Sequence, residues 1–196
     1  MGAANPGEPL IGGLSERACR ILAGLESGVI GGILVLIWLS FMARMQGDYW
    51  WAKWNVAGAL FYGDRVYSMG WGRASLAGAA WLLLVYALIG VAFSLLARVR
   101  GYGFNLLLAW TIALLWHQSA ELLLWHRINP GAPRYFTAGV MLPAHLMFGA
   151  VLLRFAPRFR RISALLGDPA WTVRIFPPPP PPPLEEFPAP LPPPDC

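Results

Sequence analysis

Three ionisable side chains within apolar stretches of the sequence could carry chemistry: His117, Glu121 and His145. His117 and Glu121 are four residues apart, which on a helix places them about 40° apart around the axis and one turn along it. His117 precedes the loop midpoint near Gly131 by fourteen residues, and His145 follows it by fourteen. On two antiparallel helices this symmetry predicts two histidines at the same depth, with Glu121 about 6 Å nearer the loop.

A carboxyl group and two imidazoles in an apolar environment suit four roles. They could relay a proton or an ion, because such groups can titrate near neutral pH. They could ligate zinc or iron, and two facing histidines could ligate a haem. They could instead form an interhelical hydrogen-bond clamp, in which His145 bonds Glu121 or His117. We expect the clamp, with no catalytic residue, metal or cofactor, and the other roles stay open as alternatives.

The sequence contains none of the familiar enzyme signatures, such as a P-loop, HExxH or GxSxG. Its two cysteines, Cys19 and Cys196, lie near opposite ends and form no metal-binding motif. We therefore predict a protein that is not an enzyme.

Four long apolar runs must position these residues. The chain is 57% hydrophobic and 13% charged, whereas soluble domains carry roughly 25% charged residues. The runs each have the roughly 20 residues that cross a bilayer, and backbone groups in lipid must be paired within a helix. The sequence therefore predicts an all-α integral membrane protein, with four transmembrane helices in an antiparallel bundle. The spans lie near residues 24–45, 75–97, 104–126 and 137–155. The short connections predict that the second and third spans, and the third and fourth, are neighbours.

Small residues recur at four-residue intervals on the first two spans. The first span has Gly24, Gly28 and Gly32, and the second has Gly90 and Ser94. Small residues at this spacing allow helix backbones to approach closely in a membrane. We expect packing within the bundle, with homodimerisation as the alternative.

The loop between the first two spans, residues 46–74, is rich in aromatic side chains. Indole and phenol rings prefer the headgroup layer of a membrane, where both their apolar and polar parts are satisfied. We predict an interfacial or shallow re-entrant helix over residues 50–62, ended by Gly63. Its tryptophans anchor it to the interface, with a lipid or quinone contact surface as the alternative; the anchors are Trp50, Trp51, Trp54 and Trp71.

The arginines and the lysine predict the orientation. Nine lie in the termini and the second loop, namely Arg17, Arg20, Arg98, Arg100, Arg154, Arg158, Arg160, Arg161 and Arg174. Six lie in the other two loops, namely Arg44, Lys53, Arg65, Arg73, Arg127 and Arg134. Positive charge concentrates on the cytoplasmic side of membrane proteins. We therefore expect both termini in the cytoplasm, and we interpret the net charge of +5 as a membrane signal, with no nucleic-acid partner.

Along its length the chain divides into a transmembrane domain and two terminal segments. Residues 1–23 form an N-terminal cytoplasmic segment, in which residues 14–22 could make a short amphipathic surface helix before the first span. Residues 24–156 form the transmembrane domain. Residues 157–196 form a basic flank and a tail with seven consecutive prolines at 177–183. Such runs cannot build a core, so we predict a disordered tail, with a docking site for a proline-recognising partner as the alternative.

The chain resembles a group of small bacterial four-helix inner-membrane proteins of uncharacterised function. The resemblance rests on GVIGGILV in the first span, ALFYG at 59–63, LIGVAFSLL in the second span and PAHLMFG at 143–149. It covers about residues 24–156, and it implies that His145 is a family position. The proline-rich tail lies outside it.

These features together predict a non-enzymatic, multi-pass protein of the bacterial inner membrane. We expect a structural or accessory role, with the lipid bilayer, a second copy or a larger membrane complex as its partners. One alternative is a small transporter or proton conductor that uses the His117, Glu121 and His145 cluster. A second alternative is a redox subunit that binds a metal or haem.

Overall fold

The fold of the chain was analysed in a computed structural model, which describes residues 12–99 and 101–166. The predicted disordered tail and the seven prolines at 177–183 lie outside the described residues. The described residues form helices and no strand, so the all-α prediction is confirmed. The α-helices are α1 (Gly12–Met45), α2 (Ala52–Ala57), α3 (Ala59–Tyr62), α4 (Arg73–Leu96), α5 (Tyr102–Ser119), α6 (Trp125–Ile128), α7 (Ala138–Leu152) and α8 (Phe155–Leu166).

Three of the helical stretches are long and apolar enough to cross a membrane: Glu16–Met45, Arg73–Leu96 and Tyr102–Arg127. A fourth candidate arises if α7 and α8, which are bent by 40° relative to each other, count as one span. α7 continues through Pro143, and the bend lies in the short break between α7 and α8. Residues 14–22 do not form a separate surface helix, because α1 runs unbroken from Gly12 to Met45.

Helix α1 is the central element, since it packs against α4, α7 and α8. It runs antiparallel to α4, because Gly24 lies against Gly90 and Ser94 while Gly32 lies against Leu83. It also runs antiparallel to α7, since the Trp38 indole donates to the carbonyl of Val140 (2.8 Å), whereas Gly31 meets Phe148.

The third long helix, α5, is attached mainly through α7 and has only slight contact with α4. The connection between α4 and α5 is fastened locally, because Asn105 accepts a hydrogen bond from the Arg98 backbone N–H (2.8 Å) and donates to the Arg98 carbonyl (2.6 Å). The short connection thus fixes the adjoining ends of α4 and α5. Along the rest of their length, α4 packs mainly against α1, and α5 packs mainly against α7. The expectation of close neighbours is met for the third and fourth spans and only weakly for the second and third.

The aromatic loop contains the expected helical structure. α2 packs against α4, and Gly58 lies close enough to Ala74 and Asn55 that a side chain would not fit there. The helical stretch ends at Gly63, whose φ of 58° is a conformation that glycine adopts without strain. A 3₁₀ turn, Gly63–Tyr67, then leads back towards α4.

Candidate functional site

The histidine pair, His117 and His145, joins α5 to α7. On α5, Ala109, Ala113 and His117 recur every four residues, and all three are buried. The two alanines face Gly149 of α7, which lies about one turn beyond His145. These small residues bring the helices close together, so that the two imidazoles meet in the interior.

The two imidazoles contact each other directly. Their Nδ1 atoms are 3.2 Å apart, and the ring planes are tilted by 56°. One Nδ1 must carry a proton and the other must offer a lone pair, because two N–H groups cannot bond each other. Both histidines therefore cannot be charged at once while this hydrogen bond exists.

The remaining polar atom of His145 is left without a partner. His145 is 0% exposed, and its Nε2 has no hydrogen-bond partner in the described part of the chain. In either tautomer this nitrogen is a buried donor or acceptor that a third group or a water would satisfy. The pair thus joins α5 to α7 by one hydrogen bond and leaves one buried nitrogen, His145 Nε2, without a partner among the described residues.

Tyr86 of α4 lies on the other side of His145. Its ring centroid is 6.2 Å from that of His145 and 4.7 Å from that of Phe148. The side chain is fully buried, and within residues 12–99 and 101–166 its hydroxyl makes no hydrogen bond. Sequence analysis missed Tyr86, although a single tyrosine in the middle of the apolar run at 75–97 is a detectable signal.

Glu121 is not hydrogen-bonded to either histidine. It lies in a π-helical turn, Ala120–Leu124, which follows α5 and widens the helix there. One carboxyl oxygen, Oε1, is buried without a partner among the described residues, although the side chain is partly exposed. His126 Nδ1 lies 2.7 Å from the backbone carbonyl of Glu121 and does not reach the carboxyl group. Of the two partners that the sequence allowed for His145, the structure places His117 in contact.

The three predicted residues do not converge as metal ligands. Among residues 12–99 and 101–166 no group of three or more His, Cys, Asp or Glu side chains could hold a metal ion. The histidine pair uses its facing nitrogens for one hydrogen bond, and the Glu121 carboxyl group is hydrogen-bonded to neither histidine in the described part of the chain. The alternatives of a metal or a haem therefore gain no support from this geometry.

No family model, curated protein or solved structure matches the chain.

The small residues predicted to pack helices form the glycine seam between α1 and α4. In this seam Gly24 and Gly28 lie against Gly90, Gly24 also lies against Ser94, and Gly32 lies against the Leu83 and Tyr86 side chains. A Cβ atom on Gly24 would lie 2.6 Å from the Gly90 carbonyl oxygen, and one on Gly28 would lie 2.7 Å from the Cα of Ala87. Neither position has room for a methyl group, because backbone atoms fill the space. The seam is used within the chain, as expected for packing inside one bundle.

The four predicted anchors form the tryptophan cluster. Trp50 contacts Trp54 edge-on with ring centroids 5.2 Å apart, and it also contacts Trp51 (5.6 Å) and Trp71 (4.7 Å). Trp54 donates its indole N–H to the Leu36 carbonyl (3.3 Å), which ties the cluster to α1. Trp50 and Trp71 remain exposed.

Lys53, beside this cluster, was counted from the sequence only as one of the positive charges of the first loop, and its burial was not predicted. It is 0% exposed, and its Nζ donates to Gln46 Oε1 and to the Tyr135 carbonyl, both at 2.7 Å. Burial lowers the pKa of Lys53 below its ordinary value of 10.5, and the nearby carboxyl group of Asp48 opposes that shift. This lysine therefore fastens α2 to the segment before α7, and its apolar surroundings were not visible from the sequence.

Further polar contacts hold the same end of the molecule. Asn55 donates to the Met69 carbonyl (2.7 Å) and accepts from the Ser75 hydroxyl (2.5 Å). The Tyr67 hydroxyl donates to Asn129 Oδ1 (2.8 Å), and burial raises the pKa of this phenol. The loop 46–74 is thus an ordered cap that links α1, α4 and the α6–α7 connection.

Proposed function

We propose that this chain is a multi-pass integral membrane protein with a structural or accessory role. The observation that carries the proposal is the set of large aliphatic and aromatic side chains exposed on its long helices. On α1 these recur at the spacing of one helix face, with Ile30, Ile33, Ile37 and Phe41 each between 40% and 60% exposed. In water such a continuous apolar face would be an aggregation liability, whereas lipid chains solvate it.

Exposed apolar side chains also occur on the other long helices, which supports contact with lipid on several sides of the protein. α4 and α5 also expose large aliphatic residues, among them Leu84, Leu88, Leu107 and Leu115. α5 is the least covered by other helices, since only 22% of its apolar window is buried. A helix that is apolar all round but mostly uncovered suits a membrane span or contact with a further subunit.

The distribution of charge supports termini on the cytoplasmic side. The N-terminal part of α1 lies beside the C-terminal end of α4, because Arg20 donates to the Ala97 carbonyl (3.0 Å). The basic helix α8 lies at the same end, where Arg161 pairs with Glu26 of α1 (2.9 Å). Positive charge at one end of the helices favours a cytoplasmic location for that end in a bacterial inner membrane.

The histidine pair supports a structural role. It links α5, which has few other partners, to α7 through the buried interior. An interhelical hydrogen bond of this kind typically contributes about 0.6 kcal/mol and at most about 1.7 kcal/mol within a membrane. We assign it to holding α5 in place, and we place the chain among accessory membrane proteins rather than enzymes.

A proton or ion pathway is the second candidate, and one observation favours it. The buried atoms without partners include His145 Nε2, Tyr86 Oη and Glu121 Oε1, which are the kinds of group that relay protons when waters join them. A pathway would require these groups to exchange protons during function, whereas a clamp would not.

The two candidates are separated by proton flux and stability measured on the same variants. The purified chain is reconstituted in liposomes with a pH-sensitive dye, as wild type, as Glu121→Gln and as His145→Gln. We expect no flux above empty liposomes in any sample, and lower thermal stability of His145→Gln in detergent. Flux in the wild type that is lost in both variants, with unchanged stability, would overturn the structural role.

A further inference from the structure

The surface where α8 meets α1 combines a basic pocket with an apolar groove. The arginine pocket has a cavity volume of about 280 Å³ and is lined by Glu26, Arg154, Pro157, Arg158 and Arg161. The apolar groove has a volume of about 420 Å³ and is lined by Leu22, Leu25, Glu26, Val29, Ile30 and Ile162. The two cavities share Glu26 and therefore adjoin.

The arginine pocket carries an excess of positive charge. Glu26 is engaged by Arg161, with both carboxylate oxygens within 3.0 Å of Nη2, and Arg158 Nε lies 3.7 Å from the same carboxylate. Three guanidinium groups thus face a single carboxylate. Arg154 is exposed and makes no side-chain hydrogen bond or ion pair with any other described residue. An anion in this pocket could bind the guanidinium group of Arg154, which has no ion-pair partner among the described residues. It could also bind those of Arg158 and Arg161, which share the Glu26 carboxylate.

The adjoining groove suits a hydrocarbon chain. Its lining is almost entirely aliphatic, and Leu22, Leu25 and Ile30 are 40% to 44% exposed. These residues lie on one face of α1, so the groove extends along that helix beside the charged pocket.

We propose that this composite surface binds an anionic phospholipid, with the phosphate in the arginine pocket and an acyl chain in the apolar groove. The occupant is identified by complementarity, because one molecule must present a negative headgroup and a long apolar chain at adjacent positions. Basic pockets at the cytoplasmic ends of membrane helices bind acidic headgroups for the same reason. The inference rests on the proposed membrane location.

The orientation of α8 agrees with this occupant. Its apolar side chains Phe155, Phe159 and Ile162 pack towards the core, while Arg160 and Arg161 are exposed. Arg154, in the turn directly before α8, is exposed as well. A helix with one apolar and one arginine-rich face lies at the membrane interface and is attracted to anionic lipid.

The test measures binding of phosphatidylglycerol and phosphatidylcholine with identical acyl chains to the full-length, detergent-purified chain by native mass spectrometry. We expect the wild type to bind phosphatidylglycerol at least tenfold more tightly. Arg154→Gln should weaken that binding about fivefold, the attraction of one basic residue to an anionic lipid surface. Arg160→Gln is the matched control, because it removes the same charge from the same end of the molecule, while Arg160 does not line the pocket. It should leave binding of phosphatidylglycerol within twofold of the wild type.

Three results would overturn the proposal. Equal binding of the two lipids by the wild type would remove the headgroup site. Equal losses in Arg154→Gln and Arg160→Gln would show a diffuse surface charge instead of a pocket. Competition by inorganic phosphate or glycerol phosphate as strong as by the whole lipid would show a simple anion site without a chain groove.

Failure of the membrane location is distinguished by carbonate extraction of membranes from the expressing cells. A chain that stays in the membrane pellet but shows no preference for phosphatidylglycerol refutes only the lipid site. A chain that is extracted into the supernatant refutes the membrane location and the lipid site together.

Discussion

The glycine seam between α1 and α4 and the histidine pair between α5 and α7 hold helices together by different means. At the seam, backbone lies against backbone, and the nearby hydroxyls bond within their own helices, Ser27 to the Ala23 carbonyl (2.8 Å) and Ser94 to the Val91 carbonyl (2.7 Å). At the pair, two polar side chains bond each other and leave His145 Nε2 without a partner in the described structure. Close backbone packing therefore holds α1 against α4. A hydrogen bond between two buried imidazoles holds α5 against α7, and it leaves one imidazole nitrogen, His145 Nε2, unbonded in the described structure.

This difference indicates which contact can tolerate change. At Gly24, Gly28 and Gly90 the seam has no space for an added Cβ atom, so a substitution there acts on the whole fold. The α5–α7 contact is the looser one, and it also adjoins the π-helical turn at Glu121. Any function that requires helix movement would therefore involve α5 rather than α1 or α4.

The largest effect is expected from filling the seam. Gly28→Leu would place a side chain against Tyr86 and Ala87 backbone atoms, and overpacking of this kind costs about 3 kcal/mol or more. We expect loss of the folded, monodisperse protein in detergent, measured by size-exclusion chromatography and thermal unfolding. Gly139→Leu on α7 is the control, because a Cβ there meets no atom within 4 Å. Equal behaviour of the two variants would refute the tight seam.

A smaller effect is expected at the histidine pair. His145→Ala should lower the free energy of unfolding by about 1–3 kcal/mol, because it creates a cavity and leaves His117 unpaired. A double-mutant cycle with His117→Ala should give a coupling energy of about 0.6–1.7 kcal/mol, measured by thermal or denaturant unfolding in detergent. Additive losses, with no coupling, would show that the two imidazoles do not bond each other. The exposed His126→Ala serves as the control and should change stability by less than about 0.5 kcal/mol.

The effect at Lys53 depends on pH. Its folded pKa is lowered below 10.5 by burial, so between the two values the unfolded chain binds more protons than the folded one. The stability contributed by this group therefore rises with pH across that window and is constant above it. Lys53 is the only lysine in the chain, so a single ¹³Cε signal from labelled lysine should titrate below pH 10.5. Titration of this signal at the ordinary pKa of 10.5 would contradict the burial of Lys53. The variant Lys53→Met should remove the contribution of this group to the pH dependence of the unfolding temperature.

The smallest effect is expected at Glu121. In the structural account its carboxyl group makes no side-chain bond among the described residues, so Glu121→Gln should change the free energy of unfolding by less than about 0.5 kcal/mol. The measurement is thermal unfolding of both proteins in the same detergent. A loss as large as that of His145→Ala would show that Glu121 belongs to the clamp.

Much of this architecture follows from periodicity that is visible in the sequence. The long apolar runs predict the helices, and the four-residue spacing of Gly24, Gly28 and Gly32 predicts a close helix contact. The loop symmetry around Gly131 also predicts that His117 and His145 lie at the same depth, although it does not determine which atoms meet. These features are local or depend only on counting along a helix.

Other features depend on side-chain burial and on which helices pair. The burial of Lys53 arises because the Tyr135 carbonyl, distant in sequence, lies at its Nζ. The π-helical turn at Glu121 changes the direction of its side chain by an amount that regular helix counting does not include. The position of Tyr86 beside His145 requires knowing that α4 and α7, which are far apart in sequence, meet in the interior, and connection lengths do not reveal this.

The most direct test of the central claim is membrane topology with reporter fusions in a bacterial host. A fluorescent protein fused after residue 166 should fluoresce, because it stays in the cytoplasm, while alkaline phosphatase inserted in the loop 46–74 should be active outside the inner membrane. The chain should also stay in the membrane pellet after carbonate extraction. A soluble chain, or a C-terminal fusion that does not fluoresce together with an inactive phosphatase in the loop, would contradict the account.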